Sequence, residues 1–231
     1  MNLLFPEWPV PGRIRSLITT RTGGVSLPPF DSLNLGMHVG DDPVHVLENR
    51  NRLRAFLPSE PKWLDQVHGR KVVDLDCASS YEGDGCFTEK QNVVCAILTA
   101  DCLPVLFAGK TGVGAAHAGW RGLASGILEE TARAMGGARY AYLGPAIGQD
   151  AFEVGEEVLD AFPDESSSFR KGKEGKWHAD LYEIARMRLQ RMGIEPHGGN
   201  HCTHREASRF FSFRRNGRTG RIGSFIWIEE A

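Results

Sequence analysis

Residues 92–120 read NVVCAILTADCLPVLFAGKTGVGAAHAGW. This is the most apolar stretch of the chain, and it breaks into three short runs separated by turn residues. Asn92–Thr99, Leu103–Ala108 and Val113–His117 are each of strand length and rich in aliphatic residues, as expected of strands buried on both faces. Cys102 lies in the first break, in TADCLP. His117 ends the third run, in AAHAGWRG, where an amphipathic helix over Gly122–Met135 is expected to begin.

Outward from this centre, Arg13–Arg21 alternates as a strand and ends in the turn TGGVS. Val44–Leu57 has a helical pattern that starts at Asp42-Pro43. Lys62–Val67 and Lys71–Asp76 read as strands flanking a turn at His68-Gly69. Tyr140–Leu143 and Arg221–Ile228 read as strands, and Val154–Phe162 and Ala179–Met192 as helices. Pro163–Trp177 is polar and reads as a surface loop, the place where disorder is most expected. Strands and helices mix without regular βαβ alternation. The expected class is therefore α+β, a single-domain sandwich of mixed β-sheets flanked by helices, spanning residues 1–231.

Bulk properties narrow the function. The chain has 231 residues, 41% hydrophobic and 24% charged, with a formal net charge of −2. A near-neutral chain without a basic stripe argues against a nucleic-acid partner. No apolar run approaches the roughly 20 residues that cross a bilayer, and MNLLFPEWPVPGR lacks the charge pattern of a secretory signal, so no membrane partner and a cytoplasmic location are expected. Five cysteines, an odd count, suit metal, catalytic or buried thiols better than a disulfide framework. Cys95, inside an apolar strand, should be buried, while Cys77 and Cys86 flank a turn; none of the three is expected to be catalytic.

His68, Cys102 and His117 all fall at expected strand ends, where loops present side chains on a rigid scaffold. Two imidazoles and a thiolate make a three-ligand set for zinc with an open fourth position, which brings the pKa of a bound water toward about 7. By pattern alone, a cysteine between apolar runs is more often a small buried hydrophobe, and a histidine beside a turn more often hydrogen-bonded structure. A second cluster, His201-Cys202-Thr203-His204, lacks a companion cysteine pair and reads as a polar loop with one buried thiol.

The segments RTGGVS, SLNLGMHVGDD, ENR, WLDQVHG, TADCLPVLF, AAHAGWRGL, LGPAIG, FEVG, FFSFRR and FIWI together resemble the YfiH-like family. Its members are labelled polyphenol oxidase or laccase-domain protein, purine nucleoside phosphorylase and peptidoglycan editing factor. The resemblance runs from about Thr20 to the C-terminus and implies a fold like that of toxin-type cysteine hydrolases. It also implies that His68, Cys102 and His117 are both the metal ligands and the catalytic residues, with Zn2+ bound and Cu2+ able to take the same site.

The resemblance further implies phosphorolysis of adenosine, inosine, guanosine and methylthioadenosine, and adenosine deamination. The expected partners are then a small-molecule nucleoside and phosphate. Arg21, Arg50, Arg121 and Arg214 fall in family-like motifs and are candidates to hold phosphate, since guanidinium binds it bidentately. Arg121 follows His117 at an expected helix start, where free N–H groups favour anions. His38 and Asp84 are candidates to complete the substrate pocket.

Two other chemistries remain open. Cys102 with His117 as base could make an amidase acting on cytosolic peptidoglycan precursors, with Asp101 orienting one of them. A multicopper laccase needs a blue copper plus a trinuclear cluster fed by paired His-x-His ligands. Eight histidines, with no His-x-His, make oxidase activity a side reaction of a copper-loaded site.

Overall fold

The structure is a computed structural model that describes residues 1–230; Ala231, the last residue of the span read as one domain, lies outside them. In chain order the N-terminal half comprises β1 (Leu3–Leu4), β2 (Ile14–Thr19), α1 (Pro43–Arg54), β3 (Val72–Asp74) and β4 (Gly85–Thr88). The apolar centre follows as β5 (Cys95–Thr99), β6 (Leu103–Ala108) and β7 (Val113–Ala118). Then come α2 (Trp120–Ala124), α3 (Ile127–Ala134), β8 (Tyr140–Leu143), β9 (Glu153–Val154) and α4 (Glu156–Asp160). The chain ends with β10 (Phe169–Lys171), β11 (Trp177–Ala179), α5 (Leu181–Arg191), β12 (Glu195–Gly198), α6 (Phe213–Asn216) and β13 (Ile222–Ile228).

The strands form a six-stranded sheet in the order β12-β8-β6-β7-β4-β3 and a four-stranded sheet in the order β1-β2-β13-β5, with a small sheet β10-β11-β9 beside them. The six-stranded sheet is mixed, because its two edge pairs, β12 with β8 and β3 with β4, are parallel while its central pairs are antiparallel. The four-stranded sheet is antiparallel throughout. The two large sheets share an apolar layer that includes Cys86, Cys95, Ile97, Leu106, Ala115 and Ile226. Leu103, Val105 and Phe107 point the other way, into a layer with Ile127 and Leu128 of α3 and Ile184 and Leu189 of α5. Leu53 of α1 covers Leu17, Leu98 and Phe225 on the outer face of the four-stranded sheet. Helices thus flank a sheet-on-sheet sandwich, and β6 is buried at all six positions because both its faces are covered. Phe107, 0% exposed, fills the helix side; truncating it to alanine is worth about 3–5 kcal/mol.

Several boundaries differ from expectation for local reasons. The helix expected over Gly122–Met135 is two helices, broken at Ser125-Gly126, where Gly126 has φ +89°. Lys62–Val67 is not a strand: it makes only isolated bridges at Lys62 and Asp65. Its attachment is instead the Gln66 side-chain amide, which donates to Leu98 O and accepts from Leu98 N, both at 2.9 Å, as a strand neighbour would. The helix expected over Val154–Phe162 shortens to α4 because Glu153–Val154 pairs with β11. Asp180 caps α5, so Ala179 belongs to β11 rather than to the helix. The stretch Pro163–Trp177 is ordered rather than a plain loop. A 3-10 helix at Pro163–Ser168 leads into β10, anchored by buried Phe169 and by Glu165, which is 1% exposed and paired with Arg188 and Arg191 of α5. Among the described residues no helix is long and apolar enough to cross a membrane.

Candidate metal centre and cavity

The chain passes from one large sheet to the other between β5 and β6, and Cys102 sits in that crossing. Register then gathers the site. Leu103 is opposite Ala118 and Pro104 opposite His117, so Cys102 lies beside the end of β7. Gly85 is opposite Ala116, which places Asp84 next to His117, and the His117 N–H donates to Asp84 O at 2.6 Å.

Asp84 is fully buried and organises what surrounds it. Its Oδ2 accepts the backbone N–H groups of Val67 at 3.2 Å and Gly69 at 2.7 Å, and its Oδ1 accepts that of His68 at 2.9 Å. These bonds hold His68 in the left-handed region at φ +61°, a conformation that costs a non-glycine residue of order 1–3 kcal/mol. The same Oδ1 lies 2.8 Å from His117 Nδ1. An ionised carboxylate only accepts, so Nδ1 carries the proton and Nε2 is left for a ligand. Burial pushes the Asp84 carboxyl up, but the hydrogen bonds from His117, Gly69 and His68 outweigh it and the net shift is downward.

Asp101, at φ +85°, turns the chain just before Cys102. Its Oδ1 accepts from the Thr203 hydroxyl at 2.6 Å, and its Oδ2 from the Ser212 hydroxyl at 3.0 Å and the Arg214 backbone N–H at 2.6 Å. One carboxylate thereby joins the cysteine turn to the C-terminal segment that borders the cavity.

Ligand atoms of His68, Cys102 and His117 all lie within 4.8 Å of one another. The two imidazoles meet edge to face, with centroids 4.7 Å apart and planes at 75°. Gly119 backs the group: a Cβ there would lie 2.9 Å from Cys102 Sγ. Burial raises the Cys102 thiol, but the charge of His117 and hydrogen bonds from His117 and His68 overcome it and hold the pKa at about 6. Burial lowers His117, but the Cys102 thiolate and the bond to Asp84 raise it to about 9. Without a metal these two residues are a thiolate–imidazolium pair. Two imidazoles and one thiolate, one imidazole fixed from behind by a carboxylate, fit a borderline divalent metal such as zinc or copper. Among the described residues this is the one such convergence of three or more His, Cys, Asp or Glu groups.

The triad forms one wall of a cavity of about 400 Å³. Trp120, Phe152 and Phe213 line it, as do His38, Arg121, Arg214 and Arg221. Arg121 is exposed and stacks over Trp120 at 4.3 Å. Arg214 stacks over Phe152 at 5.3 Å and donates to Glu153 O at 2.8 Å. The other expected residues lie elsewhere. Arg50 stacks on Trp63 at 3.9 Å and donates twice to Leu35 O. Arg21 pairs with Asp31 at 2.9 Å and donates to Ala207 O, beside a separate surface depression. Asp84 stands behind His117 rather than in the cavity. In the HCTH loop, Cys202 Sγ accepts from Gly148 N and His201 faces Glu206, so both groups are engaged by residues outside the cluster. Arg221 and Gln66 were not expected at the cavity. An arginine opening a strand otherwise wholly buried was the available signal for Arg221.

The family model described as multi-copper polyphenol oxidoreductase laccase matches residues 15–229. A purine nucleoside phosphorylase of Escherichia coli named YfiH is 50% identical over 240 residues, covering 98% of this chain and 99% of that protein. A purine nucleoside phosphorylase of Pseudomonas aeruginosa is 49% identical, covering 98% of each. The crystal structure of a Neisseria meningitidis protein superposes with a TM-score of 0.93 at 46% identity over the whole of both chains.

Proposed function

The chain belongs to the YfiH-like family, and from that membership and the cavity we propose that it is a zinc-dependent purine nucleoside phosphorylase. Adenosine, inosine, guanosine and methylthioadenosine are the expected substrates, with adenosine deamination at the same site. The observation that carries the reading is a two-histidine, one-cysteine group in the wall of an aromatic-lined cavity bordered by three arginines. When bound, zinc supplies a Lewis acid beside the reacting atoms.

The residues of the chain do the rest. Trp120, Phe152 and Phe213 offer apolar faces for a purine ring. Arg121 and Arg214 place positive charge at the exposed side of the cavity, which draws phosphate toward the site. Asp84 keeps His117 in one tautomer, and Asp101 keeps Cys102 at the turn. The test is a screen of zinc-loaded protein against nucleosides with and without phosphate, beside wall-precursor peptides. Base release that requires phosphate supports the reading; release that is indifferent to phosphate sinks it.

One observation favours a second reading. The Cys102–His117 ion pair is that of a thiol hydrolase, suited to an amidase acting on peptidoglycan precursors. That reading requires amide hydrolysis by metal-free protein. Copper chemistry has less support: with a single three-ligand group among the described residues, a blue copper and a trinuclear cluster cannot both be housed. Copper in this site would give oxidase activity only as a side reaction.

A further inference from the structure

Arg121 and Arg214 are exposed and partly engaged with Trp120, Phe152 and Glu153 O, whereas Arg221 is half-buried and enters the cavity from the start of β13. Its position is prepared by the distant Asn34 and Gly36 and by the two residues that precede it. Its backbone N–H donates to Asn34 Oδ1 at 2.9 Å, and its Nη1 donates to Thr219 O at 2.9 Å and Gly220 O at 3.1 Å. Gly36 makes room for the side chain: a Cβ there would lie 2.9 Å from Arg221 Cγ. Two residues later, His38 lines the same end of the cavity.

Donor capacity at this end is unused, although the charges of Cys102 and Asp101 act on Arg221 across the cavity. Among the described residues no carboxylate forms an ion pair with Arg221, and its Nε and Nη2 donate to no protein acceptor. Asp101, the carboxylate that lines the cavity, already accepts from Thr203, Ser212 and the Arg214 N–H. A half-buried guanidinium held by backbone carbonyls, with two donor nitrogens free and no direct ion pair, is arranged for an oxyanion, because buried donors are costly unless a ligand accepts from them.

We propose that Arg221, with His38 beside it, is the subsite that holds the phosphate co-substrate next to His68, Cys102 and His117. The rim arginines then guide the anion inward and meet the exposed side of the substrate. This assignment rests on the phosphorolysis reading for its ligand. The shared chemistry is that of an oxyanion, and the carboxylate of a peptide is its other source.

The test is calorimetric binding of inorganic phosphate, and separately of acetate, to zinc-loaded protein without nucleoside. It compares wild type with Arg221→Gln, Arg221→Lys and a surface control, Arg52→Gln, whose partner is Glu48. Arg221→Gln is expected to weaken phosphate binding by about tenfold or more, or about 1.4 kcal/mol. Arg221→Lys keeps the charge without the fork and should fall between the two. Arg52→Gln should stay within about twofold, and thermal melts should show all three folded. In turnover, Arg221→Gln should raise the KM for phosphate far more than that for inosine. Unchanged phosphate affinity in Arg221→Gln, no phosphate binding by wild type, or acetate bound as tightly as phosphate each overturns the assignment. Phosphate held through Arg221 in a protein without phosphorolysis would leave the subsite standing and remove the proposed function. Phosphorolysis with a phosphate KM indifferent to Arg221 would do the reverse.

Discussion

Replacing Asp84 with asparagine keeps the volume and removes the charge, and the consequences follow from four hydrogen bonds. If the new amide oxygen takes the place of Oδ2, the N–H groups of Val67 and Gly69 keep their acceptor. The amide nitrogen then stands where Oδ1 accepted from His68 N and His117 Nδ1. His68 N–H faces another donor and is left unsatisfied, at a cost of about 1–3 kcal/mol. His117 can adapt only by moving its proton to Nε2, the atom needed for the metal. Loss of such a carboxylate behind a ligand typically costs 10–100-fold in metal affinity, roughly 1.4–2.7 kcal/mol. The assay is zinc competition against a chromophoric chelator, with urea unfolding of the metal-free protein alongside. Zinc affinity within about twofold of wild type, in a folded Asp84→Asn protein, would refute the role given to this carboxylate.

Three further outcomes are expected. Gly119→Ala should fold but bind zinc more weakly, because its Cβ would crowd Cys102 Sγ; chelator competition measures it. Metal-free protein should react with iodoacetamide at Cys102 as a thiolate: with the pKa held at about 6, the rate should fall as pH drops through 6 and be flat near 8, and His117→Asn should move the midpoint upward. A wild-type midpoint near 8.5, the free-thiol value, would contradict the ion pair. Cys77→Ser should leave turnover intact, since the side chain is exposed and bonded to Asp74 away from the cavity; a loss beyond about 100-fold, roughly 2.7 kcal/mol, would contradict this.

The strands of the core were legible because burial on both faces writes itself as continuous apolar runs: β6, buried at every position, falls at its expected bounds. The break at Gly126 was not legible, because a single glycine inside a periodic stretch can equally be tolerated by a helix. The segment from Pro163 was misread because its polar composition hides Phe169 and a buried Glu165 whose partners, Arg188 and Arg191, come from α5. In the candidate site, the grouping of His68, Cys102 and His117 came from motif resemblance, since nothing in their separate spacings links them. Asp84 looked like a pocket residue; that it faces backwards, onto the turn at Val67–Gly69, depends on the register of β4 with β7. Arg221 went unread because its environment includes Asn34 and Gly36, which only the fold brings beside it.

The central claim is that this metal site serves purine nucleosides. The most direct measurement is kcat/KM for adenosine with phosphate against a muramyl-peptide precursor, on one zinc-loaded preparation, repeated with Cys102→Ser. The account predicts that the nucleoside wins, that ribose 1-phosphate appears with the free base, and that Cys102→Ser abolishes both. A peptide preferred by more than about tenfold, a gap of about 1.4 kcal/mol, would contradict it and make nucleoside cleavage incidental.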